Sequence, residues 1–247
     1  QAGAVANYRK ALALGGTVVL SPVSPPGGGD QTDPHRSDGP SGDRAPTLTE
    51  TTAASLAASP YVGAVDLSLR ARATSVGIQP VATTGAQAAP GNAGMGVERP
   101  PGFWLAGNSA AEGTPGIPVA EDALGAGRLY TPAEVAARAP VVLISDQLAS
   151  LNGLTVDMVI ELTNPVTGAS STLKIIGIVA SPTGGLVRER IIAGQGSLLF
   201  GDANTIYAPY TLVQDFAGKP GQLSSAVYYL NQPQDVDAFR SAAAAAG

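Results

Sequence analysis

Apolar and polar positions alternate most cleanly along residues 65–72, where Val65, Leu67, Leu69 and Ala71 interleave with Asp66, Ser68, Arg70 and Arg72. A two-residue period is that of a strand with one buried and one wet face. Shorter apolar runs predict further strands at 17–20, 141–144, 205–208 and 226–230. Residues 158–163 and 172–180 flank Asn164-Pro-Val-Thr-Gly168 and predict a hairpin with a five-residue loop. Helices announce themselves by their ends. Val5, Tyr8 and Leu12 recur at helical spacing until Gly15-Gly16, so residues 1–14 read as a helix tail. Thr47-Leu-Thr-Glu50 and Thr131-Pro-Ala-Glu134 have the form of capping boxes, which predicts helices over 48–58, closed by Pro60, and over 132–138, closed before Pro140. Helices over 146–152 and 211–217 are stopped by Gly153 and Gly218, and a last one starts near Pro233 and runs into five alanines.

Two stretches carry almost no apolar side chain able to offset ordering entropy. Residues 21–46 are Pro, Gly, Ser and Asp, and read as a mobile loop; residues 83–96 are Gly, Ala and Pro, and read as a linker. The composition agrees with a folded chain that has long loops. A chain of 247 residues buries roughly 70–75% of its unfolded surface. Its 31 Gly and 20 Pro exceed the ordinary share without reaching that of low-complexity disorder. No stretch of the chain approaches the roughly 18 apolar residues of a membrane span.

Charge and residue inventory exclude several activities. Only 13% of residues are charged and the net charge is −5, so no basic surface exists to neutralise a phosphate backbone. Without cysteine there are no disulfides, thiolate metal sites or thiol catalysis. The sole histidine, His35, lies among Asp30, Asp33 and Asp38, but in no metal-ligand spacing, and the segment reads as a solvated loop. With no G-x-S-x-G and no other imidazole, a serine triad lacks its parts. The pairs Glu121-Asp122 and Asp235 with Asp237 fit a polar turn and the first turn of a helix, where negative charge complements the dipole. Gly27-Gly-Gly29 and Gly94-Met-Gly96 neither follow a strand nor open a helix, so neither is a phosphate cradle. No catalytic residue, metal ligand or cofactor site is therefore expected, and the chain reads as a non-enzyme. Phe103-Trp104-Leu105, the densest apolar-aromatic cluster, is the candidate interaction patch, with the buried side of a strand as the competing reading.

From Gly127 onward an ordered series of segments resembles the extracytoplasmic domain of MacB/FtsX-type ABC transporter permeases. Gly127-Arg-Leu-Tyr-Thr-Pro-Ala-Glu134 is similar to that family's G-R-x-[FY]-T-x-x-E, and Ala139-Pro-Val-Val-Leu-Ile-Ser-Asp146 to its PVVVIS strand entering a helix. Leu173 to Val179 is similar to F-x-V-V-G-V-L, Ile206-Tyr-Ala-Pro209 to V-Y-V-P, and Gln234 to Arg240 to the closing helix. Ala11 to Pro22 and Ser59 to Val65 resemble the family's first strand and its "lpyVxxv" segment more loosely. Asp157 stands where the family's L-x-x-G-D-x-I carries glycine, so a different local turn is expected there.

The resemblance implies an α+β fold. Two strand-helix-strand units, 1–85 and 190–247, would form a discontinuous porter-like subdomain, with a β-rich subdomain, 97–185, inserted between them. It also implies terminal helices that continue into transmembrane helices, a location outside the plasma membrane, a cytoplasmic ATPase subunit and a second permease copy as partners, and an extracytoplasmic substrate or protein partner. The function implied is to couple ATP hydrolysis to efflux, lipoprotein handling or activation of a cell-wall hydrolase. A secreted binding or adhesion module is the alternative.

Overall fold

The computed structural model describes residues 17–20, 48–82, 102–109, 124–180 and 203–246. The expected first helix, the 21–46 loop, the 83–96 linker, His35 and the Glu121-Asp122 pair lie outside them. Within them the chain forms strands β1 (Thr17–Leu20), β2 (Leu48–Thr49), β3 (Val62–Ala73), β4 (Phe103–Asn108), β5 (Leu124–Gly127), β6 (Val141–Ser145), β7 (Val159–Thr163), β8 (Ser170–Val179), β9 (Thr205–Pro209), β10 (Gln222–Leu223) and β11 (Ser225–Leu230). The helices are α1 (Glu50–Ala57), α2 (Pro132–Ala136), α3 (Asp146–Asn152), α4 (Tyr210–Ala217) and α5 (Val236–Ala246), the last entered through a 3-10 turn at Pro233–Asp235. The fold is α+β, with parallel and antiparallel pairings in one mixed sheet. The chain divides into two compact units, Gln1–Leu67 with Gly221–Gly247, and Ser68–Pro220.

In the first unit β1 pairs antiparallel with β11, and α5 packs against β1 and α1. Tyr228 and Phe239, both fully buried, meet with ring centroids 4.9 Å apart, joining β11 to α5. The phenol of Tyr228 donates to the Ala53 carbonyl on α1, and burial pushes its pKa up to about 12. The expected start of α1 is corrected. Leu48 and Thr49 pair with Leu223 and Gln222, which holds them extended, so the cap is Thr49, whose hydroxyl accepts from the Thr52 amide.

In the second unit the hydrogen-bonded order β3–β4–β9–β6–β8–β7 returns to its starting strand. The closure is an antiparallel bridge between Thr74, just beyond β3, and Thr163 of β7, whose amides donate to each other's carbonyls at 2.9 and 2.8 Å. Six strands thus form a small barrel, and alternation fills it. Leu69, Ala71 and Ala73 of β3, Phe103 and Leu105 of β4, and Ile206 and Ala208 of β9 meet the inward side chains of β6, β7 and β8 in one buried cluster. A register shift in the β6–β8 pairing, after Val142 on β6, leaves Ile176 as an extra residue and reverses the facing of β8 beyond it. Leu173 and Ile175 point in, Ile178 packs against the same inner cluster, and Ile176 and Val179 belong to the outer one. Strand β6 runs directly into α3, and β9 directly into α4. Because β6 and β9 are antiparallel, these helices leave from opposite ends of the barrel. Leu148 of α3 and Val213 and Phe216 of α4 join the core from there. Gly153 and Gly218 close the two helices in the left-handed conformation, with φ of 63° and 64°. At Gly107 a Cβ would sit 2.6 Å from the Tyr210 Cα and 2.8 Å from Val213, so the glycine is what lets α4 lie against β4.

The predicted hairpin is present, and its loop is pinned. Buried Asn164 accepts from the amides of Val166 and Thr167 through Oδ1 and donates through Nδ2 to the Phe216 carbonyl at the end of α4. Asp157 takes the conformation usual for glycine, with φ 73°, while its carboxylate pairs with Lys174 at 2.7 Å. The expected departure of this turn is resolved in favour of a glycine-like backbone carried by aspartate.

Candidate interaction surface

The barrel's outer face follows from the same register. Cross-strand partners share a face, which sets three rows over β3, β4 and β9: Ser68, Asn108 and Pro209; Arg70, Ala106 and Tyr207; Arg72, Trp104 and Thr205. Part of this face is covered. Leu129, Tyr130, Val135 of α2 and Tyr210 of α4 pack on Ala106, Tyr207, Leu143 and Val141 in a second apolar cluster. Arg128 and α2 are locked together there: both Arg128 Nη atoms donate to the Glu134 carboxylate at 2.7 and 2.8 Å. Oε2 of Glu134 also accepts from the Thr131 amide, and the Thr131 hydroxyl accepts from the Glu134 amide, the capping box expected from sequence. The Arg128 guanidinium, followed by the Thr131 donors, draws the Glu134 carboxyl down to about 2.

Beyond that cover lies the row of Arg72 and Trp104. The Arg72 guanidinium carbon stands 4.3 Å from the centroid of the Trp104 ring, a cation–π stack between direct cross-strand neighbours, and both side chains are partly exposed. One row along, Arg70 is partly buried beside small Ala106. Burial lowers its pKa, against a smaller opposing effect of Tyr207 across the Ala106 position. At the next row Asn108 is buried, and its Nδ2 has no hydrogen-bond partner among the described residues.

Of the candidate patch Phe103, Trp104 and Leu105, the structure separates the members by alternation. Phe103 and Leu105 point into the barrel at 1% and 0% exposure, and Trp104 alone reaches the outer face. The patch as a continuous triplet is thereby corrected to one aromatic ring with two arginines beside it. Arg70 and Arg72 were legible only as polar positions of an alternating strand; a partner strand carrying the chain's single tryptophan was the missing piece. Where the 3-10 turn enters α5, Asp235 is partly buried and Asp237 exposed, and Arg240 stands 4.0 Å from Asp237. Among the described residues no group of three His, Asp or Glu side chains is placed to hold a metal ion, and no helix is long and apolar enough to cross a membrane.

No protein-family model matches the chain, and no curated protein is significantly similar to it. Among solved structures it is similar to the periplasmic region of MacB from Actinobacillus actinomycetemcomitans, with a TM-score of 0.49 and 13% identity over 92% of this chain and 80% of that one. It is also similar to the extracellular domain of the noncanonic ABC-type transporter YknZ from Gram-positive bacteria, with a TM-score of 0.48 and 12% identity over 78% of each chain.

Proposed function

We propose that this chain is the extracytoplasmic domain of an ABC transporter permease subunit. It couples ATP hydrolysis in a cytoplasmic partner to an extracytoplasmic substrate or protein, by rigid-body motion and without bond chemistry of its own. The observation that carries this reading is the path of the chain. Strand β1 and helix α5, the first and last described elements, pack in one unit, and the barrel is a single excursion of the chain from Ser68, within β3, to Pro220, before β10. A domain looped out between two membrane helices needs its entry and exit side by side. In this reading the two-segment unit is the porter-like part and the barrel is the inserted β-rich part. The motif series supports it as well, since its segments fall in order on α2, the β6–α3 junction, β8, β9 and the start of α5. The permease acts with a second copy of itself.

The chain contains no cysteine, which makes the location directly testable. In the complete gene product, Val166→Cys, at the 87% exposed hairpin tip, is to be treated in intact cells with a membrane-impermeant maleimide. Labelling before lysis, on a protein recovered with the membranes, is the expected result. Labelling only after lysis refutes an extracytoplasmic domain. Labelled protein free in the medium assigns the chain to a secreted binding or adhesion module instead.

A further inference from the structure

We infer that the Arg72–Trp104 stack is a recognition site for a carboxylate-bearing peptide segment of a partner protein. Held over the indole, with its carbon 4.3 Å from the ring centroid, the Arg72 guanidinium is restricted in position, and its N–H fork is the group that a carboxylate accepts in bidentate fashion. The Arg72 side chain makes no hydrogen bond or ion pair with any described residue. The neighbouring positions of this face on the barrel strands are Ser68, Arg70, Ala106, Asn108, Thr205 and Tyr207, and none of these is acidic. In a chain with net charge −5, the Arg72 side chain has no acidic residue directly beside it on β4 or β9.

The occupant follows from the number of cations. An anionic bilayer is held by clusters of roughly four to eight Lys or Arg, whereas this face offers two arginines on a protein that is negative overall. A single carboxylate needs one fork and a flat apolar surface beside it, which Arg72 and Trp104 supply. The inference needs only the barrel surface and stands apart from whether the chain is anchored in a membrane.

Trp104 is the only tryptophan in the chain, so its emission and its indole N–H resonance report this site alone. The test titrates the 247-residue chain with a short blocked peptide alternating Gly and Glu, and with its Gly/Gln counterpart. The Glu peptide is expected to move both signals saturably and the Gln peptide to leave them in place. Arg72→Gln is expected to weaken the response by at least roughly fivefold. Arg72→Lys, which keeps the charge and loses the fork, is expected to weaken it by a similar factor. No response to the Glu peptide, equal response to both peptides, or full binding by Arg72→Lys overturns the inference. A response to phosphatidylglycerol vesicles with none to the peptide overturns it in favour of a membrane surface. The two-peptide comparison uses the unaltered protein, so it decides even if a variant fails to fold.

Discussion

Replacing Glu134 by Gln tests the way the outer face is held. The carboxylate accepts four hydrogen bonds, two from Arg128 and two from Thr131. The amide keeps one acceptor for the cap but turns an NH2 toward Arg128. The drop from 4.5 to about 2 corresponds to about 3 kcal/mol if taken whole. Solvent reduces it, since the Arg128 side chain is 54% exposed and Glu134 is 21% exposed, and about 1 kcal/mol is the expected cost of Glu134→Gln near neutral pH. The sign is that of a carboxyl depressed on folding. Between about pH 4.5 and 2 the unfolded chain binds more protons than the folded one, so this contribution is complete above the unfolded value and lost as pH falls through about 2. Urea unfolding of the wild type and the variant at pH 7, 4 and 2.5 measures it. The gap should be full at pH 7, smaller at pH 4 and nearly gone at pH 2.5, with a thermal midpoint about 2–4 °C lower for the variant at neutral pH. A gap that stays constant with pH refutes the assignment of the stability to the ionised carboxylate.

Two further substitutions probe the barrel. Gly107→Ala places a Cβ 2.6 Å from the Tyr210 Cα, so α4 has to shift; thermal unfolding should show a loss of about 1–3 kcal/mol. Asn164→Ala removes a buried side chain that ties the β7–β8 loop to the last turn of α4. It should cost about 2 kcal/mol and speed amide exchange at Val166 and Thr167, and unchanged exchange at those two amides counts against the pinning described.

Much of the local structure was legible because it is decided locally. The capping box at Thr131 and Glu134, the helix stops at Gly153 and Gly218, and the alternation of β3 depend on neighbours within a few residues. What escaped depends on residues far apart in sequence. Periodicity assigns Leu69 and Ala71 to a buried face but cannot say that β4 lies beside them, nor that β4 pairs in parallel with β9 about a hundred positions later. The start of α1 moved because residues 222–223 hold Leu48 and Thr49 extended. The facing of Ile178 and Val179 escaped because a bulge at Ile176 inverts the alternation that the sequence displays. Asp157 shows a milder version: the residue type argued for another turn, and a left-handed aspartate supplied the same one. The candidate surface was half legible, as Trp104 without its arginines, because a cation and a ring on different strands become a pair only through register.

The barrel closes by a single bridge, between Thr74 and Thr163, beyond the ends of the named strands, and only β6 with β9, through Leu143 and Tyr207, is joined by as short a register; the other neighbours are paired in longer runs. A side-chain bond from Ser75 Oγ to the Glu161 carbonyl and one from Thr74 Oγ1 to the Thr163 carbonyl reinforce that seam. Closure removes sheet edges, and edges are what template pairing between chains. This seam is therefore a latent pair of edges: parting two backbone hydrogen bonds would turn β7 into an exposed strand, with Ile160 and Leu162 on its newly opened side. One short route from this fold to self-association runs through two threonines.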